Sequence, residues 1–249
     1  MGFFKGDQKM IQIAQLSDYI DRSNNIVATT GAGISVGGGG ITYGQMLFST
    51  RGAGRMQRSG NDYSSFLPTY LDNMFSYNPS YSHYALRDLE SEGKLLGIIT
   101  TNVDCMHTIA GSKNVAEIQG SSQVNCCVGC GRHYDGYEIW KKEELPKCEF
   151  CGGEILPWPL YSHIGLWNDD VRKAREWISK ADLILAIGTR GNYGDVYWGY
   201  RNKDAVIVQI NPGHTGFDGA ANLNIREECD EVFKKLKERR DKNEVLPFC

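Results

Sequence analysis

The chain is 249 residues long, 41% hydrophobic and 23% charged, with a formal net charge of -3. It can bury a sizeable core, but this charge excludes a nucleic-acid binder or a membrane-surface protein held by a basic face. No apolar run approaches the roughly 20 residues that span a bilayer, MGFFKGDQKM holds no signal-like segment, and Gly6 stands where a myristoylation signal has Ser or Thr; a cytoplasmic protein is expected.

Met10, Ile11, Ala14, Leu16 and Ile20 predict an amphipathic opening helix that ends near Ser23-Asn24-Asn25. Residues 26–30 are a β-branched run that reads as a buried strand and leads into Gly31-Ala32-Gly33-Ile34-Ser35. The glycines Gly37 to Gly40 then make a loop. Residues 41–79, rich in Gly, Ser, Asn, Tyr and Arg, read as a mobile loop followed by a small helical segment. A helix over 82–92 turns His83, Leu86 and Leu89 in one direction. Strands are predicted over 95–101, 115–118, 183–187 and 206–210, and helices over 171–180 and 227–240. The basic end of the last helix reads as a solvated face that complements the helix dipole.

Strands that are apolar throughout and alternate with helices imply a parallel sheet covered on both faces. The fold class is therefore α/β, a Rossmann-like sheet with a small inserted zinc-binding and helical lobe. The main lobe is expected over about 1–36, 80–123 and 157–249, and the small one over about 37–79 and 124–156.

Eight cysteines suit either disulfides or a metal, and spacing decides. Cys127-Val128-Gly129-Cys130, 17 residues, then Cys148-Glu149-Phe150-Cys151 is a paired CxxC pattern. Each CxxC presents two thiolates from one turn, and two turns make a tetrahedral sulfur site suited to zinc. Four protein ligands leave no open position, so the zinc is structural. Cys105, Cys229 and Cys249 read as buried or idle thiols.

A strand that ends in Gly31-Ala32-Gly33 is the usual entrance to a dinucleotide site. Gly31 permits a tight turn, Gly33 allows a pyrophosphate close to the backbone, and the next helix N-terminus favours its charge. The third glycine, Gly37, gives GxGxxxG, a spacing unlike that of most dehydrogenases. Asn102 and Asp104 follow the second strand, although Asp104 also reads as a helix N-cap. Gly188-Thr189-Arg190 and Asn211-Pro212-Gly213 follow two more strands. Small polar residues at four strand ends point to one ligand lying across the sheet edge.

In their order, Gly31-Ala32-Gly33-Ile34-Ser35, Thr101-Asn102-Val103-Asp104, Gln119-Gly120-Ser121, the paired CxxC, Gly188-Thr189 and Ile210-Asn211 resemble the sirtuins over about residues 25 to 236. The resemblance implies a Rossmann-like domain, a structural zinc, and NAD as co-substrate cleaved at its nicotinamide bond. It implies that Gly31, Ala32, Gly33, Ser35, Gly188 and Thr189 hold the cofactor, that Asn211 holds the adenosine ribose, and that Cys229 opens the adenine-side loop. Asn102 and Asp104 would line the nicotinamide pocket.

Three departures bear on the chemistry. Ile41-Thr42-Tyr43-Gly44 replaces the Pro-Asp-Phe-Arg-like stretch of sirtuin deacylases, Arg190 replaces the serine of their Gly-Thr-Ser, and Gln119 replaces their catalytic histidine. A carboxamide does not titrate and cannot act as a general base. The pattern is most similar to the macrodomain-linked, class M sirtuins of microbes, which act as protein ADP-ribosyltransferases, in described cases on a lipoyl-carrier protein. The resemblance implies an acceptor protein as partner; Asn102, Gln119 and Arg190 are suggested as the catalytic set, and the charge and apolar pattern point to no nucleic acid and no membrane. The alternatives are an NAD-dependent deacylase, an NAD hydrolase and an NAD-sensing binder. Whether Tyr43, Phe48 or another aromatic closes over NAD is left open.

Overall fold

The structure is a computed structural model that describes residues 3–40, 67–141, 144–162, 165–191 and 193–242. The predicted loop over 41–66, with Ile41-Thr42-Tyr43-Gly44 and Phe48, lies outside the described residues, as does Cys249.

In chain order the elements are α1 (Phe3–Arg22), β1 (Ile26–Thr30), α2 (Leu67–Phe75), α3 (Tyr81–Ser91), β2 (Leu95–Thr100), α4 (Met106–Ile109), β3 (Val115–Glu117), β4 (Val124–Cys127), β5 (His133–Asp135), β6 (Ile155–Pro157), α5 (Trp158–Tyr161), α6 (Asn168–Lys180), β7 (Leu183–Ile187), β8 (Val206–Ile210), β9 (Leu223–Ile225) and α7 (Cys229–Asp241). Short 3-10 turns cover Ala32–Gly38, Tyr137–Lys141 and Trp198–Tyr200.

Every residue of β1 and of β7 is buried, because both strands lie inside a sheet with two covered faces. The sheet runs β3-β2-β1-β7-β8-β9 with all pairings parallel. The period-2 alternation of strand side chains divides the core in two. Ile26, Ala28, Leu183, Leu185 and Ile187 face the layer of α1, α3 and α7; Val27, Ile184 and Ala186 face that of α6. Gly97 belongs in β2 because Trp177 of α6 lies where a Cβ would go. A Leu or Ile fully buried in either layer contributes about 1.5–3 kcal/mol.

β4, β5 and β6 form a separate antiparallel sheet in the order β5-β4-β6. A third apolar cluster, with Leu67, Met74, Trp140, Ile155 and Leu160, joins it to α2 and α5.

The α/β class and the strands over 26–30, 183–187 and 206–210 stand as the sequence predicts, and the strand predicted over 95–101 ends one residue earlier, at Thr100. Met10 and Ile11, placed on the apolar stripe of the first helix, are instead 49% and 54% exposed. The buried stripe is Ile13, Leu16 and Ile20, with Ala14, because α1 lies against α7 and β9 on that side. α6 begins at Asn168, three residues before the predicted start. β9 is a sixth strand that the pattern does not predict. Among the described residues no helix is long and apolar enough to cross a membrane.

Candidate active site

The strand order reverses between β1 and β7: the chain runs outward from β1 through β2 to β3, then returns to build β7, β8 and β9 on the other side. A crevice outside the carboxyl ends of the strands at such a switch point is where open α/β sheets take ligands. Both glycine segments meet there. The Gly33 N–H donates to the Gly188 carbonyl at 2.9 Å, and the Gly188 N–H to the Ile210 carbonyl at 3.0 Å. A Cβ on Gly33 would lie 2.7 Å from the Gly188 oxygen. Gly188 itself has φ 58°, in the left-handed region, and a Cβ there would press into the Ile34 amide.

These contacts correct two sequence readings. Gly31 has φ -141°, ordinary extended backbone rather than a special turn; a side chain there would crowd Thr189, whose Cα would be 3.0 Å from the new Cβ. The segment after Gly31 is a seven-residue 3-10 turn, Ala32–Gly38, rather than an α-helix whose N-terminus could favour a phosphate.

Register aligns the expected catalytic residues. Thr100 pairs with Glu117 across β2 and β3, and Thr30 pairs with Thr100 and Ile187 across β1, β2 and β7. Asn102 and Gln119 each lie two residues beyond a paired position, and Arg190 three beyond Ile187, so all three emerge at one edge. Gln119 stands half-buried in the turn after β3, its carboxamide free of hydrogen bonds to other described residues. Arg190 is exposed, with no bond from its guanidinium to another described residue.

Asn102 and Asp104 share one network. The Asn102 amide approaches the Ser35 hydroxyl at 3.5 Å. Ser35 donates to Asp104 Oδ2 at 3.0 Å, and the Tyr77 hydroxyl donates to the same oxygen at 2.9 Å. Asp104 Oδ1 accepts the Met106 N–H at 3.1 Å, but the N-cap of α4 is Cys105, one residue on, which corrects the N-cap reading of Asp104. Cys105, at φ 58°, turns the chain sharply between Asp104 and α4. Tyr77 had no sequence signal. Burial, then Asp104, pushes its phenol well above the ordinary range, so it remains a donor at neutral pH.

Three expected cofactor residues are engaged internally. The Thr189 hydroxyl donates to the Gly191 carbonyl at 3.2 Å. Asn211 donates to the Thr189 carbonyl at 3.2 Å and accepts from the Gly213 N–H at 3.1 Å. Cys229 is buried at the start of α7, where burial pushes its thiol up to about 12. Cys105 and Cys229 are therefore inert thiols, as the sequence suggests.

Beneath the edge lies a buried acid that sequence reading missed. Glu117 accepts a short hydrogen bond from Ser121, and its own N–H donates to Asp170 Oδ2 at 2.9 Å. Burial pushes the Glu117 carboxyl up to about 8; Ser121 and Lys173 oppose the rise, and Asp170 and Asp104 add to it. It borders a cleft of about 490 Å³ that also touches Ser112, Gln123, Trp167 and Lys173. Behind β1, the buried His83 and His107 rings lie 4.5 Å apart, with His107 Nε2 2.9 Å from the Thr30 hydroxyl. Burial lowers both imidazoles, which keeps them neutral.

The sulfurs of Cys127, Cys130, Cys148 and Cys151 all lie within 4.8 Å of one another. Cys127 is 3.4 Å from Cys151, and Cys130 is 3.6 Å from Cys148, close to the roughly 3.8 Å edge of a tetrahedron with zinc–sulfur bonds of ~2.3 Å. The Gly129 N–H points at Cys127, and the Tyr134 hydroxyl at 3.1 Å from Cys148 holds that thiol down to about 6. The four cysteines fit a structural zinc.

The model of the Sir2 family matches residues 31–193. An NAD-dependent protein deacetylase of Clostridium perfringens is 33% identical, over 90% of this chain and 98% of its own. NAD-dependent protein deacetylase 1 of Pyrobaculum aerophilum is 32% identical, over 92% of this chain and 94% of its own. The crystal structure of a Sir2 homologue in complex with NAD superposes with a TM-score of 0.74 at 27% identity, over 92% of this chain and 94% of that one.

Proposed function

Because the chain belongs to the Sir2 family, whose model covers residues 31–193, we propose that it cleaves NAD at the nicotinamide–ribose bond and transfers ADP-ribose to an acceptor protein. The observation that carries this reading is Gln119, a carboxamide in the turn after β3, two residues beyond the Thr100–Glu117 pair and level with Asn102. A deacylase needs a base there to take a ribose hydroxyl proton, and an imidazole that titrates near neutrality can do so. A carboxamide cannot, and loss of a positioned base forfeits about 100- to 10,000-fold in rate.

Bond scission itself needs no base. The C1′–N bond breaks with its electron pair leaving on neutral nicotinamide, and the cationic ribose carbon is captured by an acceptor nucleophile that sheds its proton. The chain contributes positioning and fixed dipoles. Asp104 and Ser35 would grip the carboxamide, Asn102 would orient the ribose, and Gln119 would hold ribose hydroxyls. Gly31, Ala32, Gly33, Gly188 and Thr189 would lie along the pyrophosphate, Asn211 and the start of α7 at Cys229 along the adenosine. Arg190, exposed at the same edge, suits a phosphate or the acceptor. A lipoyl-carrier protein is the acceptor to test first, on the resemblance to the class M sirtuins.

Deacylation is the second reading, favoured by relatives named deacetylases. Purified protein with labelled NAD, a lipoyl-carrier protein and an acylated peptide separates the two. Transfer leaves label covalently on protein; deacylation releases O-acyl-ADP-ribose; hydrolysis gives free ADP-ribose alone. Rapid, stoichiometric O-acyl-ADP-ribose from the unmodified chain would overturn the proposal.

A further inference from the structure

The hydroxyls of Tyr77 and Ser35 both donate to one oxygen of Asp104, at 2.9 and 3.0 Å, and the Met106 N–H takes the other oxygen at 3.1 Å. A carboxylate offers about four lone-pair sites. Three are filled from the described residues, which among these leaves one acceptor on Oδ1 in a fixed direction. Ser35 is shared with the Asn102 amide at 3.5 Å, so the orientation of Asp104 is also felt at Asn102.

Tyr77 is itself held against the glycine segment. A Cβ on Gly40 would lie 3.0 Å from Tyr77 Cε2, and one on Gly39, at φ 95°, would lie 3.5 Å from Tyr77 Cβ. The Gly38 carbonyl accepts the Asn78 N–H at 3.3 Å. Bare backbone at Gly38–Gly40 thus lets the chain before α3 press its aromatic ring toward the end of β2. Two segments distant in sequence converge on one carboxylate, and only one of them comes from the Gly31–Ser35 motif.

We propose that Tyr77 is a positioning residue of the nicotinamide pocket, which fixes the Asp104 carboxylate so that its remaining acceptor meets the carboxamide N–H of NAD. The inference rests on the assignment of Asp104 to that pocket, but not on which acceptor receives ADP-ribose. The phenol touches Asp104 rather than the reacting atoms, so its loss acts on binding more than on scission.

The test is a double-mutant cycle of Tyr77→Phe and Asp104→Asn in the full chain, read as KM for NAD and kcat for nicotinamide release, with thermal melting recorded for each variant. Tyr77→Phe keeps the ring against Gly39 and Gly40 and removes only the hydroxyl. It should raise KM about tenfold, the size of one hydrogen bond to a charged group, and change kcat less than about threefold. In the Asp104→Asn background the effect of the same substitution should shrink to about threefold or less, because the charged acceptor is gone and the amide oxygen that remains is a weaker, neutral partner for the phenol. An undiminished Tyr77→Phe effect in that background, or an unchanged KM in the otherwise unaltered chain, would overturn the inference. Asp104→Asn with unaltered KM would overturn the pocket assignment and the inference with it. None of these readouts depends on whether protein, acyl-lysine or water takes the ribose.

Discussion

Gln119 is where a one-residue change tests the chemistry. Gln119→Ala should lower ADP-ribose transfer about tenfold or more, through the lost contact to the ribose, while zinc content and melting stay as in the parent. Gln119→His should raise O-acyl-ADP-ribose formation from an acylated peptide, because an imidazole restores a titratable base at that place. If neither substitution shifts the product ratio, the amide is a bystander. Glu117 offers a different residue-level test. Its folded carboxyl titrates near 8, whereas an unfolded chain releases that proton near ~4.3. Between these values the folded state holds more protons, so stability falls as pH rises from about 5 to about 8, by up to a few kcal/mol. Urea unfolding at several pH values should show this decline, and Glu117→Gln should flatten it.

At the scale of elements, the small sheet depends on its four sulfurs. β4, β5 and β6 contribute 4, 3 and 3 residues, lengths too short to fold without help. Cys130→Ser, or a strong chelator, should lose one zinc per chain and unfold this sheet, read by metal analysis and faster proteolysis across residues 124–157, with the parallel sheet retained. The junction of α3 with α7 turns on Asp230. It accepts the Ser82 N–H at 2.9 Å and the Tyr81 N–H at 3.2 Å, so it caps α3 from a distant helix. Asp230→Ala should cost about 1–2 kcal/mol, measured by chemical denaturation.

Across the whole molecule, legibility followed range in sequence. β1 and β7 were readable because five consecutive apolar or β-branched residues between turn signals leave few alternatives. The paired CxxC was readable because its geometry is local to two turns. β9 was not, since Leu223-Asn224-Ile225 is too short to show a period; it forms because the Asn222 side chain accepts the Ile207 N–H at 2.8 Å and sets it beside β8. Tyr77 was not, because a tyrosine 27 residues before Asp104 carries no mark of where its hydroxyl ends. The exposed Met10 and Ile11 misled for the opposite reason: they fit an apolar helical stripe in sequence, but the face of α1 that is covered is that of Ile13, Leu16 and Ile20. The expected site residues came from strand ends, and the parallel register sets Asn102, Gln119 and Arg190 just beyond the ends of β2, β3 and β7, with no hydrogen bond among the three.

The place where Gly33 and Gly188 meet has a practical meaning for anyone who wants an inactive control. Main chain there rests directly on main chain, with no interposed side chain to yield. A methyl group added at either position would wedge the two halves of the sheet apart. Loss of activity in such a variant would therefore report damage to the scaffold as much as an empty pocket, and a clean knock-out belongs on the rim instead.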